Sequence, residues 1–248
     1  MRIGAWHFTP GLWPTAATLV LLSLFVALGF WQLDRADQKS RKHGEFVLRQ
    51  SEHALDLNDP VTLRRNKEEL LWRRAQARGH FDNEVHILLD NQVLRGKAGY
   101  FVYTLFLVTP GDHWLLVNRG WVPLGKDRGV APLLETPAAE IKIVGVINDV
   151  PATGLVLGDA PAEALTRTIY RAQRIDLDEI ARQRGHKLLP FVLALAPESG
   201  HGFIRHWQLP GSGREKHLGY AFQWFLFAAI LVVIYLAVNI KKITRDDD

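Results

Sequence analysis

The chain has 248 residues, 48% of them hydrophobic and 23% charged, which is the composition of a folded protein and not of a disordered or fibrous one. It contains no cysteine and a single methionine, Met1. That excludes disulfides, thiolate metal sites, covalent haem attachment through C-x-x-C-H, cysteine nucleophiles and a copper carrier built on sulfur, leaving histidine as the strong ligand type for a transition metal or haem iron. The net charge of +4 is scattered and forms no basic stripe, so nucleic acid is not an expected partner.

A mean hydropathy of −0.03 conceals two long apolar runs, one near each end. Residues 1–14 form a short N-terminal segment carrying only Arg2 as a charge, and Pro14 opens the first run, Thr15 to Leu33, which has no charge inside it. Its nineteen residues, at about 1.5 Å each, reach about 29 Å and are long enough to cross a bilayer core. Ala27-Leu28-Gly29 also resembles a signal-peptide cleavage site. Against cleavage, the apolar run continues through Phe30 and Trp31, and the segment before it is long and poor in basic residues.

Residues 34–216 read as one aqueous domain. Asp34 to about Gln50 is charged and helix-compatible, with Leu28, Trp31, Arg35, Gln38 and Lys42 at helical spacing, so the first span is expected to continue as a helix beyond the membrane. Strands are expected at Glu84–Leu89, Tyr100–Val108, Trp114–Asn118, Ile141–Ile147 and Leu188–Leu195. Thr109-Pro110-Gly111-Asp112 reads as a hairpin turn, and the apolar character of both faces of Tyr100–Val108 predicts a strand covered on both sides. Pro123, Pro132 and Pro137 mark a long loop, and a second loop precedes Ile169. Asp176 with Glu179 three residues on predicts a short capped helix that Gly185 stops. Gly200 to Gly213 reads as the connection to the second span.

The second apolar run, Leu218 to Ile240, gives a span at 217–240, and residues 241–248 form a tail in which Lys241, Lys242 and Arg245 stop it. Two spans place both termini on one side. Those basic residues favour a cytoplasmic C-terminus, whereas Arg35, Lys39, Arg41 and Lys42 pull the other way. The intervening domain exceeds the loop length over which that rule operates, and the C-terminal cluster places it outside the cytoplasm. The expected fold is therefore an α+β membrane protein: two transmembrane helices flanking one extracytoplasmic domain, built mainly on an antiparallel sheet or barrel with short helices.

No H-E-x-x-H, G-x-S-x-G, Walker loop or dinucleotide fingerprint is present, and nothing points to an enzyme. His80, His86, His113, His201 and His206 are spread over different elements at no recognised ligand spacing, which fits solvated or structural roles.

The unusual residues lie at the outer ends of the spans. One ends Gly29-Phe30-Trp31-Gln32-Leu33-Asp34-Arg35; the other begins His217-Leu218-Gly219-Tyr220-Ala221-Phe222-Gln223-Trp224-Phe225. His217, Tyr220, Ala221 and Trp224 form one helical stripe. Trp31 and Tyr220 alone fit an interfacial aromatic belt. Gln223, inside an apolar run, is expected to face the protein interior and to find a partner such as Gln32. His217 reads either as an interfacial residue or as a ligand in an aromatic setting suited to a porphyrin.

At these residues the sequence resembles the surfeit locus protein 1 family of cytochrome c oxidase assembly factors. The resemblance rests on three motifs in order: Leu28-Gly29-Phe30-Trp31-Gln32-Leu33-Asp34-Arg35 with Lys39, the run Asn118-Arg119-Gly120-Trp121-Val122-Pro123, and His217 to Phe225. It implies a non-enzymatic membrane chaperone that assists maturation of the haem-copper oxidase catalytic subunit, with haem a as cargo, haem a synthase as a further partner and membrane lipid around the spans. It implies His217 as the haem-iron ligand, Tyr220, Gln223 and Trp224 lining the site, and Trp31, Gln32 and Arg35 closing it, with Arg35 on a propionate. It also implies a domain in the periplasm, and the short N-terminus without an Arg- and Ser-rich presequence fits a bacterial inner membrane. The alternative is a non-haem scaffold in which the intramembrane polar residues serve helix packing. Asn118–Pro123 reads as structural, with a bulge or turn at Gly120, Trp121 in the core and Pro123 ending the strand, in preference to the alternative of a direct cargo contact by Arg119. Arg214-Glu215-Lys216 before His217 and the proline-rich middle depart from the common family pattern.

Overall fold

The structure, a computed structural model, describes residues 2–3, 6–151, 162–207 and 210–242. The chain begins with two short strands, β1 (Arg2–Ile3) and β2 (Trp6–Phe8), followed by the 40-residue helix α1 (Leu12–Ser51). Next come β3 (Leu55–Asp56), α2 (Pro60–Leu63), α3 (Lys67–Leu70), and the long strands β4 (Arg74–Leu94), β5 (Lys97–Val108) and β6 (His113–Pro123). They are followed by β7 (Ile141–Asn148), β8 (Glu163–Ala164), β9 (Ile169–Ala172), α4 (Leu177–Arg184) and β10 (Lys187–Leu195). The 26-residue helix α5 (Arg214–Asn239) and β11 (Ile240–Lys242) end the described chain. Two compact units result: Met1–Glu45 with Gln208–Asp248, and Phe46–Trp207.

In the first unit, α1 and α5 are each long and apolar enough to cross a membrane. They run antiparallel: Gln32 meets His217, Phe25 meets Trp224 and Thr15 meets Tyr235 in succession along the pair. As expected from the sequence, α1 continues without a break through the charged segment after Leu33. Small buried residues, Gly29 and Ala36 on α1 and Ala221 and Ala228 on α5, mark the facing sides. A Cβ built on Gly29 would stand 2.6 Å from Phe225 Cε1, so glycine is what lets the two helices approach there. At the N-terminal end of α1 and the C-terminal end of α5, β2 pairs antiparallel with both β1 and β11, an arrangement that the sequence did not announce.

In the second unit, β4 pairs with β5, β5 with β6, β6 with β10, β10 with β7, and β7 with β4 again, so hydrogen bonding runs in a closed circuit of five strands. The sheet is mainly antiparallel, as expected, with β4–β5, β5–β6, β4–β7, β7–β10 and β8–β9 antiparallel; β6–β10, β3–β4 and β4–β9 are its parallel pairs. The largest core cluster is drawn from all five strands of the circuit: Ala75, Ala77 and Phe81, Phe106 and Val108, Leu115 and Val117, Ile143 and Ile147, and Leu189, Phe191, Leu193 and Leu195. On the other face Tyr103, Leu105, Leu116 and Val192 pack with Leu177 and Ile180 of α4. β5 is thus covered on both sides, as its apolar faces predict.

The remaining local expectations hold where they are described. Asp176 Oδ1 accepts from the Glu179 amide at 3.0 Å, capping α4, and Gly185 ends it in the left-handed conformation. The register shift in β10 between Leu188 and Val192 spans Pro190, which cannot donate to the β6–β10 ladder. The loop before Ile169 lies largely outside the described residues.

Candidate functional site

The outer ends of α1 and α5 are held by one polar contact: His217 Nδ1 lies 2.8 Å from Gln32 Oε1. Gln32 is 9% exposed, between the buried Gly29 and Ala36, so its amide is directed away from lipid. An amide in a span is costly unless paired, and this pair joins the two spans.

The other sequence-predicted residues distribute around this contact by helical geometry. Counting about 100° per residue, Trp31 and Arg35 lie about 100° and 60° to one side of Gln32, and Tyr220 and Gln223 about 60° and 120° to one side of His217. Facing antiparallel helices turn in opposite senses as seen from one end, so these two sides are the same flank of the pair. All four residues are exposed, Trp31 by 48% and Tyr220 by 52%. The Arg35 guanidinium lies 5.6 Å from the Trp31 ring centroid and donates to Gln38 Oε1 at 3.0 Å. The opposite flank is a phenylalanine contact, Phe30 against Phe225 at 5.4 Å between ring centroids. Trp224 lies between the helices, its ring 5.8 Å from that of Phe25.

One expectation is corrected. Gln223 does not face the interior and does not pair with Gln32, because six residues after His217 place it well round from the facing side; it is exposed, and Gln32 is taken by the imidazole. The sequence lacked the signal for the true pair, whose members are 185 residues apart.

The SURF1 family model matches residues 19–229, which include both ends of this site. The chain belongs to the SURF1 family. It is 29% identical over 231 residues to a SURF1-like protein of Rickettsia bellii, covering 88% of this chain and 87% of that one. It is 28% identical over 241 residues to Surfeit locus protein 1 of Gallus gallus, covering 91% of this chain and 74% of that one. A 105-residue stretch is 33% identical to Surfeit locus protein 1 of Arabidopsis thaliana, covering 39% of this chain and 30% of that one.

The middle of the three motifs that carry the resemblance, Asn118–Pro123, lies in the second unit and is built into its framework. Opposite Val102-Tyr103 of β5 stand Gly120 and Asn118, leaving Arg119 as the extra residue of a bulge, with Gly120 at φ +117. Trp121 is buried and donates Nε1–H to the Gln92 carbonyl at 3.0 Å, and β6 ends at Pro123. Arg119 is 1% exposed. It donates from Nε to the His201 carbonyl at 2.9 Å, from Nη1 to Thr136 Oγ1 at 3.0 Å and from Nη2 to the Glu135 carbonyl. Burial lowers its pKa to about 10, so it stays charged at neutral pH. Of the domain histidines, His86 is buried with Nδ1 3.0 Å from Thr104 Oγ1, His80 and His113 are half-buried, and His201 and His206 are exposed on the segment before α5.

Proposed function

We propose that this SURF1-family chain is a non-enzymatic, membrane-anchored assembly factor for a haem-copper terminal oxidase that holds haem a for delivery to the catalytic subunit. The observation that carries the reading is the His217–Gln32 contact beside an exposed flank of Trp31, Arg35, Tyr220 and Gln223. The donor set suits a haem: one imidazole as iron ligand, aromatic faces for the macrocycle and a guanidinium for a carboxylate. In this reading His217 binds the iron, Trp31 and Tyr220 cover the ring, Trp224 and Gln32 fix the inner wall, Gln223 lines the rim and Arg35 pairs with a propionate. The domain between the spans faces the periplasm of a bacterial inner membrane, where it meets the oxidase subunit and, as a further partner, haem a synthase.

A scaffold without haem is the second reading, favoured by the fact that the same His217–Gln32 bond ties the two spans together. The reduced-minus-oxidised spectrum of protein purified from membranes that make haem a separates the two. The carrier reading expects a haem a band in the parent, its loss in His217→Ala at equal expression, and reduced occupancy in Arg35→Ala. No haem band in the parent overturns it and leaves the scaffold.

A further inference from the structure

We propose that Gln32 is a positioning residue that sets the tautomer of His217 and so presents Nε2 as the nitrogen available to a metal; this rests on the haem-carrier reading above. Gln32 Oε1 is an amide oxygen and only accepts, so at 2.8 Å the proton of the contact sits on His217 Nδ1. A neutral imidazole carries one ring proton, so Nε2 is left with the lone pair.

A free neutral imidazole side chain interchanges its two tautomers, so an acceptor at a fixed place is needed to keep the proton on Nδ1. Here the acceptor is held in place. Gln32 lies on α1 between Gly29 and Ala36, both buried on the side facing α5, while the spacing of Ala221 and Ala228 keeps the His217 side of α5 turned toward it. A hydrogen bond from the second ring nitrogen to a carbonyl also raises the basicity of the ligating nitrogen and fixes the ring plane, the usual support for histidine ligands. The partner comes from the other span. A cargo site assembled this way depends on both helices being in register, so loss of the α1–α5 pairing would release the imidazole orientation together with the cargo.

Gln223, the other amide of the site, does not serve this purpose: it is exposed on the flank, about 120° from the facing side. Trp31 and Arg35 are next to Gln32 in the helix yet turned to the flank, where Arg35 lies over the Trp31 ring. The site thus divides labour between an inner pair, which prepares the ligand, and an outer set, which contacts the cargo.

The test uses the full chain in detergent, labelled with ¹⁵N-histidine, and reads the tautomer of His217 before any haem is added; haem a is then titrated. The expected result is a protonated Nδ1 and an unprotonated Nε2 in the parent. In Gln32→Leu that preference is lost and haem a affinity falls about tenfold or more, as for other second-ring-nitrogen partners. Gln32→Glu, which keeps an acceptor at the same place, retains the Nδ1 proton and binds haem a close to the parent level, and this separates loss of the acceptor from loss of helix packing. A parent in which Nδ1 is unprotonated, or a Gln32→Leu chain that keeps parental haem a affinity, overturns the inference while leaving the carrier reading in place. A parent that takes up no haem a overturns the carrier reading and this inference with it, and it does so whatever the tautomer.

Discussion

Gly79→Ala is expected to leave little folded domain. Gly79 is where β4 changes partners, pairing with Ile141 of β7 on one edge and with Val108 of β5 on the other. A Cβ built there would overlap the backbone carbonyl oxygen of Leu107, which sits in the β4–β5 ladder and has no rotamer through which to withdraw. Relief requires parting β4 from β5 at the point where the five-strand circuit closes. The cost is on the order of 4 kcal/mol or more, a large part of what a domain of this size has to lose. Urea unfolding followed by tryptophan fluorescence in detergent checks it, with Gly200→Ala, whose Cβ would meet nothing within 4 Å, as a control expected to match the parent. A Gly79→Ala protein with the parental midpoint would mean that β4 passes β5 by another path.

The same strand shows why part of the fold was hidden in the sequence. Ile87 to Leu89 is apolar enough to be recognised, but the opening of β4, Arg74 to Arg78, buries only Ala75 and Ala77 between Arg74, Gln76 and Arg78. That segment alternates with the period of a strand, yet alanine contributes too little apolar surface to register as one. The parallel β6–β10 pair was hidden for a different reason: Leu188 stands opposite Trp114 with more than seventy residues between them, and no turn chemistry records such a partnership. What local chemistry does encode came through, as in the Asp176 cap, the two apolar spans and the doubly covered β5.

At the site, residue types were legible and pairings were not. His217 and Gln32 were both singled out by their positions near the ends of apolar runs, but which amide meets the imidazole depends on how α1 and α5 face each other. The cost of an amide inside an apolar run favoured Gln223 as an inward residue; the observed contact shows that the facing side follows His217, Ala221 and Ala228 instead. Asn118–Pro123 was legible as structural, but the inward course of the Arg119 side chain was not. The bulge at Gly120 turns it inward, between the rings of Phe81 and Phe203 at 4.9 and 5.0 Å from their centroids.

Arg119→Met is accordingly expected to destabilise the domain by about 3 kcal/mol or more, from three lost hydrogen bonds at about 1 kcal/mol each and the loss of two ring contacts. Methionine keeps apolar length between Phe81 and Phe203 but leaves the His201 and Glu135 carbonyls and the Thr136 hydroxyl without their donor. The substitution also reaches His86, whose pKa is lowered first by burial and then by the Arg119 charge, against an opposing pull from Asp82. A histidine held neutral in the folded state while the unfolded chain takes up its proton makes stability fall as pH drops below the ordinary value of about 6.5. The parent should therefore lose stability on going from pH 7 toward pH 5, and His86→Gln should flatten that part of the profile. Arg119→Met should flatten it in part, because the second cause of the shift is gone while burial remains. Urea midpoints measured across that range for the three proteins decide the matter: an Arg119→Met profile parallel to the parent's would mean that the guanidinium charge does not act on His86.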